Sequence, residues 1–170
     1  TRDPERTLRQ IDDLLRRANA AGLVVMLTIS NPPLDPDETL IAPERLLASH
    51  AALLRALLAR SAGALRYRDA VASWEPYNEP NCCDAWKLPS LQYVTLLDRA
   101  YAQIHAAYRG AAVPPDVVGG AWCPCSHGRQ GALYQAQVLA DAIAHPDAYG
   151  ISTRLFDSLS VHPYPDWRRP

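Results

Sequence analysis

Apolar positions along this chain alternate between a helical period of about 3.6 residues and short unbroken runs, and the alternation occurs four times. Leu8, Ile11, Leu14, Leu15 and Ala18 follow helical spacing behind Asp3-Pro4-Glu5, which supplies an N-cap and a proline at the first helical position; Gly22 closes this helix. Leu23 to Ile29 is continuously apolar and predicts a parallel strand covered on both faces, ended by Ser30-Asn31-Pro32-Pro33. A long proline- and acid-bearing loop runs to Ala42.

Pro43 opens a second helix, whose stripe of Leu46, Leu47, His50, Leu53, Leu54, Leu57 and Leu58 ends near Gly63. His50 lies within the stripe and reads as a packed histidine. Val71 to Tyr77, β-branched and aromatic, predicts the second strand, stopped by prolines. Leu91, Val94, Leu97, Tyr101, Ile104 and Tyr108 mark a third helix from Leu88-Pro89-Ser90 to Gly110. Val117 to Trp122 is the third strand, and its paired glycines permit close approach of a neighbour or ligand. A helix from about Ala132 to Ala144, broken at Pro146, leads to a last strand over Leu159 to His162.

Corresponding strand positions Val25, Ala72, Val118 and Ser160 are 47, 46 and 42 residues apart, a regular βα beat without sequence repetition. Such a beat fits a closed barrel or an open doubly wound sheet. No G-x-G-x-x-G or phosphate loop follows any strand, which removes the main support for a nucleotide-binding sheet.

Composition narrows the function classes. The chain has 170 residues, 48% of them hydrophobic, enough for one domain with a sizeable core. A net charge of −1 gives no electrostatic footprint for nucleic acid or an anionic membrane, and no run reaches the roughly 18 apolar residues of a membrane span. Of the 17 basic residues only Lys87 is lysine, and the arginines are scattered over helices and caps. Cys82, Cys83, Cys123 and Cys125 follow neighbouring strands at the same end of the sheet. They are compatible with a disulfide, which would suit an extracellular or exported protein, with free thiols, or with a zinc site that includes His127.

Candidate chemistry concentrates at Asn78-Glu79-Pro80-Asn81, where an amide and a carboxylic acid stand side by side as a strand ends. A carboxyl group beside Trp74, Tyr77 and Trp86, partly desolvated, suits a general acid. Glu75, in the same strand, reads as structural, pointing inward to pair with an arginine.

Trp74-Glu75-Pro76-Tyr77-Asn78-Glu79-Pro80-Asn81 resembles the strand-four signature of the large clan of retaining glycoside hydrolases built on (β/α)8 barrels, in which Asn-Glu-Pro carries the acid/base glutamate. Phe156-Asp157-Ser158-Leu159-Ser160-Val161-His162-Pro163-Tyr164 resembles the strand-six signature of the same clan, and the pattern is most similar to families 39 and 5. Tyr77 departs from the tryptophan common at its position in some of these families. The resemblance implies an α/β fold of TIM-barrel type, here an incomplete barrel of about four βα units: residues 1–170 would be a partial catalytic domain, from about helix two to the loop after strand six. A whole barrel takes roughly 250 residues.

The resemblance also implies roles. Glu79 would protonate the leaving glycosidic oxygen and later activate water, and Asn78 would hydrogen-bond the sugar 2-hydroxyl. His162 and Tyr164 would line the catalytic subsite, Tyr164 orienting the nucleophile. Asn31 stands at the same edge. Trp122 reads equally as a subsite wall or as packing, and Trp167 as a subsite platform or a loop residue. The expected activity is hydrolysis of β-linked oligo- or polysaccharides, with carbohydrate as the substrate, no nucleic-acid or membrane partner, no cofactor and no metal. The nucleophile, from strand seven in this clan, is missing from the sequence, so the expectation for the chain alone is little or no hydrolysis. The alternatives are a non-catalytic carbohydrate-binding or remnant barrel, and a metal-dependent barrel with Glu79 and His162 as ligands.

Overall fold

The computed structural model of the protein describes residues 4–29, 42–80, 88–122 and 132–161. In chain order these form helix α1 (Pro4–Ala20), strand β1 (Val25–Thr28), helix α2 (Pro43–Ala59), strands β2 (Ser61–Ala62) and β3 (Leu65–Arg66), and the single turn α3 (Tyr67–Ala70). Then come strand β4 (Val71–Glu75), helix α4 (Ser90–Ala107), strand β5 (Asp116–Trp122), helices α5 (Ala132–Ala144) and α6 (Pro146–Tyr149), and strand β6 (Ser158–Val161).

The fold is mixed α/β. Its main sheet has the order β1-β4-β5-β6, with every neighbouring pair parallel, and helices flank it. The chain therefore crosses the sheet in one direction, without the reversal of strand order that marks a doubly wound sheet. α2 packs against α4 and α4 against α5, so successive crossover helices also lie side by side.

Two apolar clusters fill the space between these layers. Leu15, Leu54, Leu57, Tyr67, Val71, Trp74, Ile104 and Val117 form the first, around the beginnings of β4 and β5. Leu46, Leu47, Tyr77, Leu88, Tyr93, Leu97, Trp122, Leu139 and Leu155 form the second, which extends past the strand ends. Trp74 joins the two layers, donating its indole N–H to the Tyr108 hydroxyl at 3.0 Å.

The sequence-based strands and helices are present with shifted bounds, and two local expectations are corrected. β1, an edge strand, is not covered on both faces: Val25 and Leu27 pack against the first cluster while Met26 is 51% exposed and Thr28 is exposed on the other face. Its unbroken apolar run is what a central parallel strand also shows, so the pattern alone does not locate it. β6, at the other edge, likewise exposes Leu159 and Val161. The second correction lies between α2 and β4, where β2 and β3 form a small antiparallel hairpin. Gly63, at φ +68°, takes its first turn position, and this glycine turns a hairpin instead of closing the helix.

Polar groups at the N-terminal edge of the sheet are mutually satisfied. Arg60 donates two hydrogen bonds of 2.8 Å to the Asp12 carboxylate, and the Tyr67 hydroxyl donates a third at 2.7 Å. Asp157 accepts the backbone N–H of Val117 at 3.0 Å and the hydroxyl of Tyr101 at 3.3 Å, with the His105 ring also 3.3 Å away. A cavity of about 450 Å³ opens at this edge among Arg66, Arg68, Asp69 and Arg109, and the described site candidates Asn78, Glu79 and Trp122 are not among its lining.

Candidate functional site

β4 carries Glu79 to the opposite edge, and the way the strand ends explains how. Ile29 donates its N–H to the Glu75 carbonyl at 2.9 Å and accepts the N–H of Asn78 at 3.1 Å. A regular parallel ladder would return that second bond from Tyr77, so one extra residue is accommodated opposite Ile29. Pro76 has no N–H to give to the ladder. The resulting bulge re-aims the chain, and Asn78 and Glu79 leave the sheet half-buried just past the last β1–β4 pair.

Glu79 itself has φ +48°, in the left-handed region, directly before Pro80. Both conditions are unfavourable for a residue with a long side chain, since β-carbon crowding costs about 1–3 kcal/mol and the proline ring further restricts the residue ahead of it. On the adjacent strand the same region is used again: Gly120 has φ +92° and Ala121 φ +51°, where the β5–β6 register shifts. The close approach expected at the glycine pair is by a neighbour. A methyl on Gly120 would lie 2.5 Å from the Ser160 carbonyl oxygen, and one on Gly119 would lie 2.8 Å from the Phe156 ring.

Trp122 is 7% exposed and belongs to the second apolar cluster. Its indole N–H is held by the Gln135 side-chain oxygen at 3.1 Å. Glu75 is 2% exposed, and its Oε1 has no hydrogen-bond partner, so the arginine expected beside it is not found among the described residues. His50 is packed, as its place in the stripe predicts, and its Nε2–H donates to the Pro76 carbonyl at 2.5 Å. Burial lowers its pKa. Tyr77, tilted against that ring with centroids 6.4 Å apart, is pushed up to about 12 by desolvation.

Asn31, His162 and Tyr164 lie outside the described residues, as do the four cysteines, Trp86, His127 and Trp167. The structure thus brings Asn78 and Glu79 together at one strand end, with Trp122 at the end of β5, two strands on from β1. Among the described residues no three His, Cys, Asp or Glu side chains are grouped to hold a metal, and no helix is long and apolar enough to cross a membrane.

Two residues that hold this edge were not singled out from the sequence. The Tyr93 hydroxyl accepts the Gly120 N–H at 2.8 Å and donates to the Gly120 carbonyl at 3.2 Å, fixing the bulge of β5; burial raises its pKa. Gln135 is 3% exposed and reaches Trp122, Leu88 and Pro80. The signal for Gln135 was available: it shares a helical face with Leu139 and Ala142, and a polar residue on an apolar stripe needs partners. Compared with known proteins, the chain matches no family model, and neither a curated protein nor a solved structure is significantly similar to it.

Proposed function

We propose that the chain is part of the catalytic domain of a retaining glycoside hydrolase of (β/α)8-barrel type, acting on β-linked oligo- or polysaccharides, with Glu79 as general acid and base. One observation carries the reading: a half-buried glutamate held at φ +48° ahead of a proline, at the C-terminal end of a parallel strand. Strain of this kind persists where the surroundings impose it, and it gathers at working sites. A carboxylate serving only as a cap or surface charge would gain nothing from it. The strand order supports the architecture, since a barrel is built by adding each strand to the same edge of the sheet.

In this mechanism a carboxylate nucleophile attacks the anomeric carbon while Glu79 delivers its proton to the departing glycosidic oxygen, and the C–O bond to the leaving group breaks. Glu79, now ionised, takes a proton from water, whose oxygen then displaces the enzyme carboxylate. Asn78 offers its amide to the 2-hydroxyl, a contact that strengthens as the oxocarbenium character grows. Trp122 serves as packing beneath the subsite, and Asn31, His162 and Tyr164 are the proposed lining.

A non-catalytic carbohydrate-binding chain is the second reading, and one observation favours it. Two carboxylates beside the strands are not placed to act as nucleophile with Glu79: Glu75 is closed off in the core, and Asp157 lies at the far edge, bonded to the start of β5. Expression with the coding sequence on both sides, followed by assay on aryl β-glycosides, separates the two. Turnover that falls about 10²–10⁴-fold in Glu79→Gln and is restored by azide supports hydrolysis. Oligosaccharide binding without turnover in either protein supports the second reading.

A further inference from the structure

We infer that Gln135 is a positioning residue for Glu79: it clasps the end of β5 to the segment that follows the glutamate, and so holds the left-handed backbone of Glu79 in place. The inference rests on the acid/base role proposed above only for its consequence in catalysis; the clasp itself stands on geometry.

Gln135 lies in the first turns of α5, is 3% exposed, and uses both ends of its amide. Its oxygen accepts the Trp122 indole N–H at 3.1 Å. Its nitrogen donates to the Leu88 carbonyl at 3.1 Å and, more weakly, to the Pro80 carbonyl at 3.5 Å. The Pro80 carbonyl also accepts the Leu88 N–H at 2.9 Å, so residues 80 and 88 are pinned to each other and Gln135 is seated on both.

Pro80 is the residue directly after Glu79, and its ring leaves the preceding backbone few conformations. With Asn78 tied to Ile29 on one side and Pro80 tied to Leu88 and Gln135 on the other, Glu79 is fixed from both directions. A conformation that costs about 1–3 kcal/mol survives only under such constraint. Replacing the amide by an apolar group of similar size takes this partner from the Leu88 carbonyl and the Trp122 indole N–H and leaves the Pro80 carbonyl held by the Leu88 N–H alone, so the backbone of Glu79 loses one of its constraints.

The experiment follows the Glu79 carboxyl carbon by NMR across a pH titration in the wild-type chain, in Gln135→Met and in Trp122→Phe. Methionine removes both arms of the clasp without adding charge, whereas phenylalanine removes only the arm to β5. A Glu79 midpoint that moves by about half a pH unit or more in Gln135→Met, and by less in Trp122→Phe, supports the proposal. A folded Gln135→Met whose Glu79 titration coincides with the wild type overturns it. Should Gln135→Met not fold, the wild-type side-chain amide protons of Gln135 decide: slow solvent exchange supports the clasp, and exchange as fast as in a free glutamine overturns it. A moved titration with no glycoside turnover in the completed domain removes the glycosidase reading and leaves the clasp standing.

Discussion

Asp12 and Glu75 are both carboxylates inside the folded chain, and their surroundings are opposite. Asp12, at the N-terminal edge, has two hydrogen bonds from Arg60 and one from Tyr67, which together use both of its oxygens. The Arg60 hydrogen bonds hold its carboxyl below the usual range, and the Tyr67 phenol is pushed up to about 12, chiefly by desolvation and then by its bond to Asp12. Glu75 is more deeply buried, and one of its oxygens is unpartnered. The backbone divides in the same way, for the C-terminal strand ends contain Glu79 and Ala121 at positive φ. Leu155, before β6, is also left-handed at φ +70°, but its N–H is taken locally by the Thr153 hydroxyl at 3.0 Å. One edge of the sheet has its carboxylate fully paired; the other combines positive-φ backbone at Glu79 and Ala121 with an unpartnered oxygen on Glu75.

That contrast is broken most severely at Gly120. A β-carbon there would stand 2.5 Å from the Ser160 carbonyl, on a residue at φ +92°, with the Tyr93 hydroxyl holding both backbone groups. Gly120→Ala is expected to cost about 3 kcal/mol or more and to open the β5–β6 edge first, measured by urea denaturation and by amide exchange along β6. Amide protection in β6 equal to that of the wild type would show that the bulge does not hold this edge.

Asp12→Ala comes next, at about 2 kcal/mol, since it strands Arg60 and Tyr67; the partial exposure of Arg60 lets water replace some of its loss, whereas Tyr67 is fully buried. Because the folded carboxyl titrates below its unfolded value, its contribution is complete above the unfolded pKa and vanishes as pH falls through the folded one. The deficit of Asp12→Ala relative to wild type should therefore shrink on acidification from neutral pH to about pH 3. A deficit that stays constant over that range would assign the loss to packing.

The sequence showed the beat of strands and helices because parallel strands and crossover helices differ in period, and the motif at Asn78-Glu79-Pro80 lies where a strand visibly stops. The exposure of β1 was not legible in its apolar run: Met26 belongs to as apolar a run as any, yet it sits half-exposed on an edge strand, since run length reports hydrophobicity and not neighbours. The β2–β3 hairpin escaped for another reason, that two-residue strands have no period to detect. Gln135 and Tyr93 act through backbone atoms of Leu88 and Gly120 far along the chain, and tertiary bonds of that kind leave no local pattern.

Glu75 sharpens the contrast from the other side. Glu75→Met removes a carboxylate with an unmade hydrogen bond from the core and fills nearly the same volume, so the chain should become more stable by about 1 kcal/mol, the reverse of Asp12→Ala. If Glu75→Met is instead destabilised by as much as Asp12→Ala, then the buried carboxylate is as well compensated as the paired one, and the division between the edges fails.

The smallest effect belongs to His50, which ties α2 to the end of β4 through the Pro76 carbonyl. Desolvation lowers the pKa of this histidine below its ordinary value, so the folded chain holds it neutral in a range where the unfolded chain is already protonated. Its contribution is complete above the unfolded pKa and declines as pH falls toward the folded one, so the wild type should lose stability between about pH 7 and about pH 5. Gln keeps a donor for Pro76 but does not titrate, and His50→Gln should show a flatter loss over that interval, read from denaturation midpoints at each pH. Parallel pH profiles for the two proteins would mean that His50 is solvated and that α2 does not close over the bulge at Pro76.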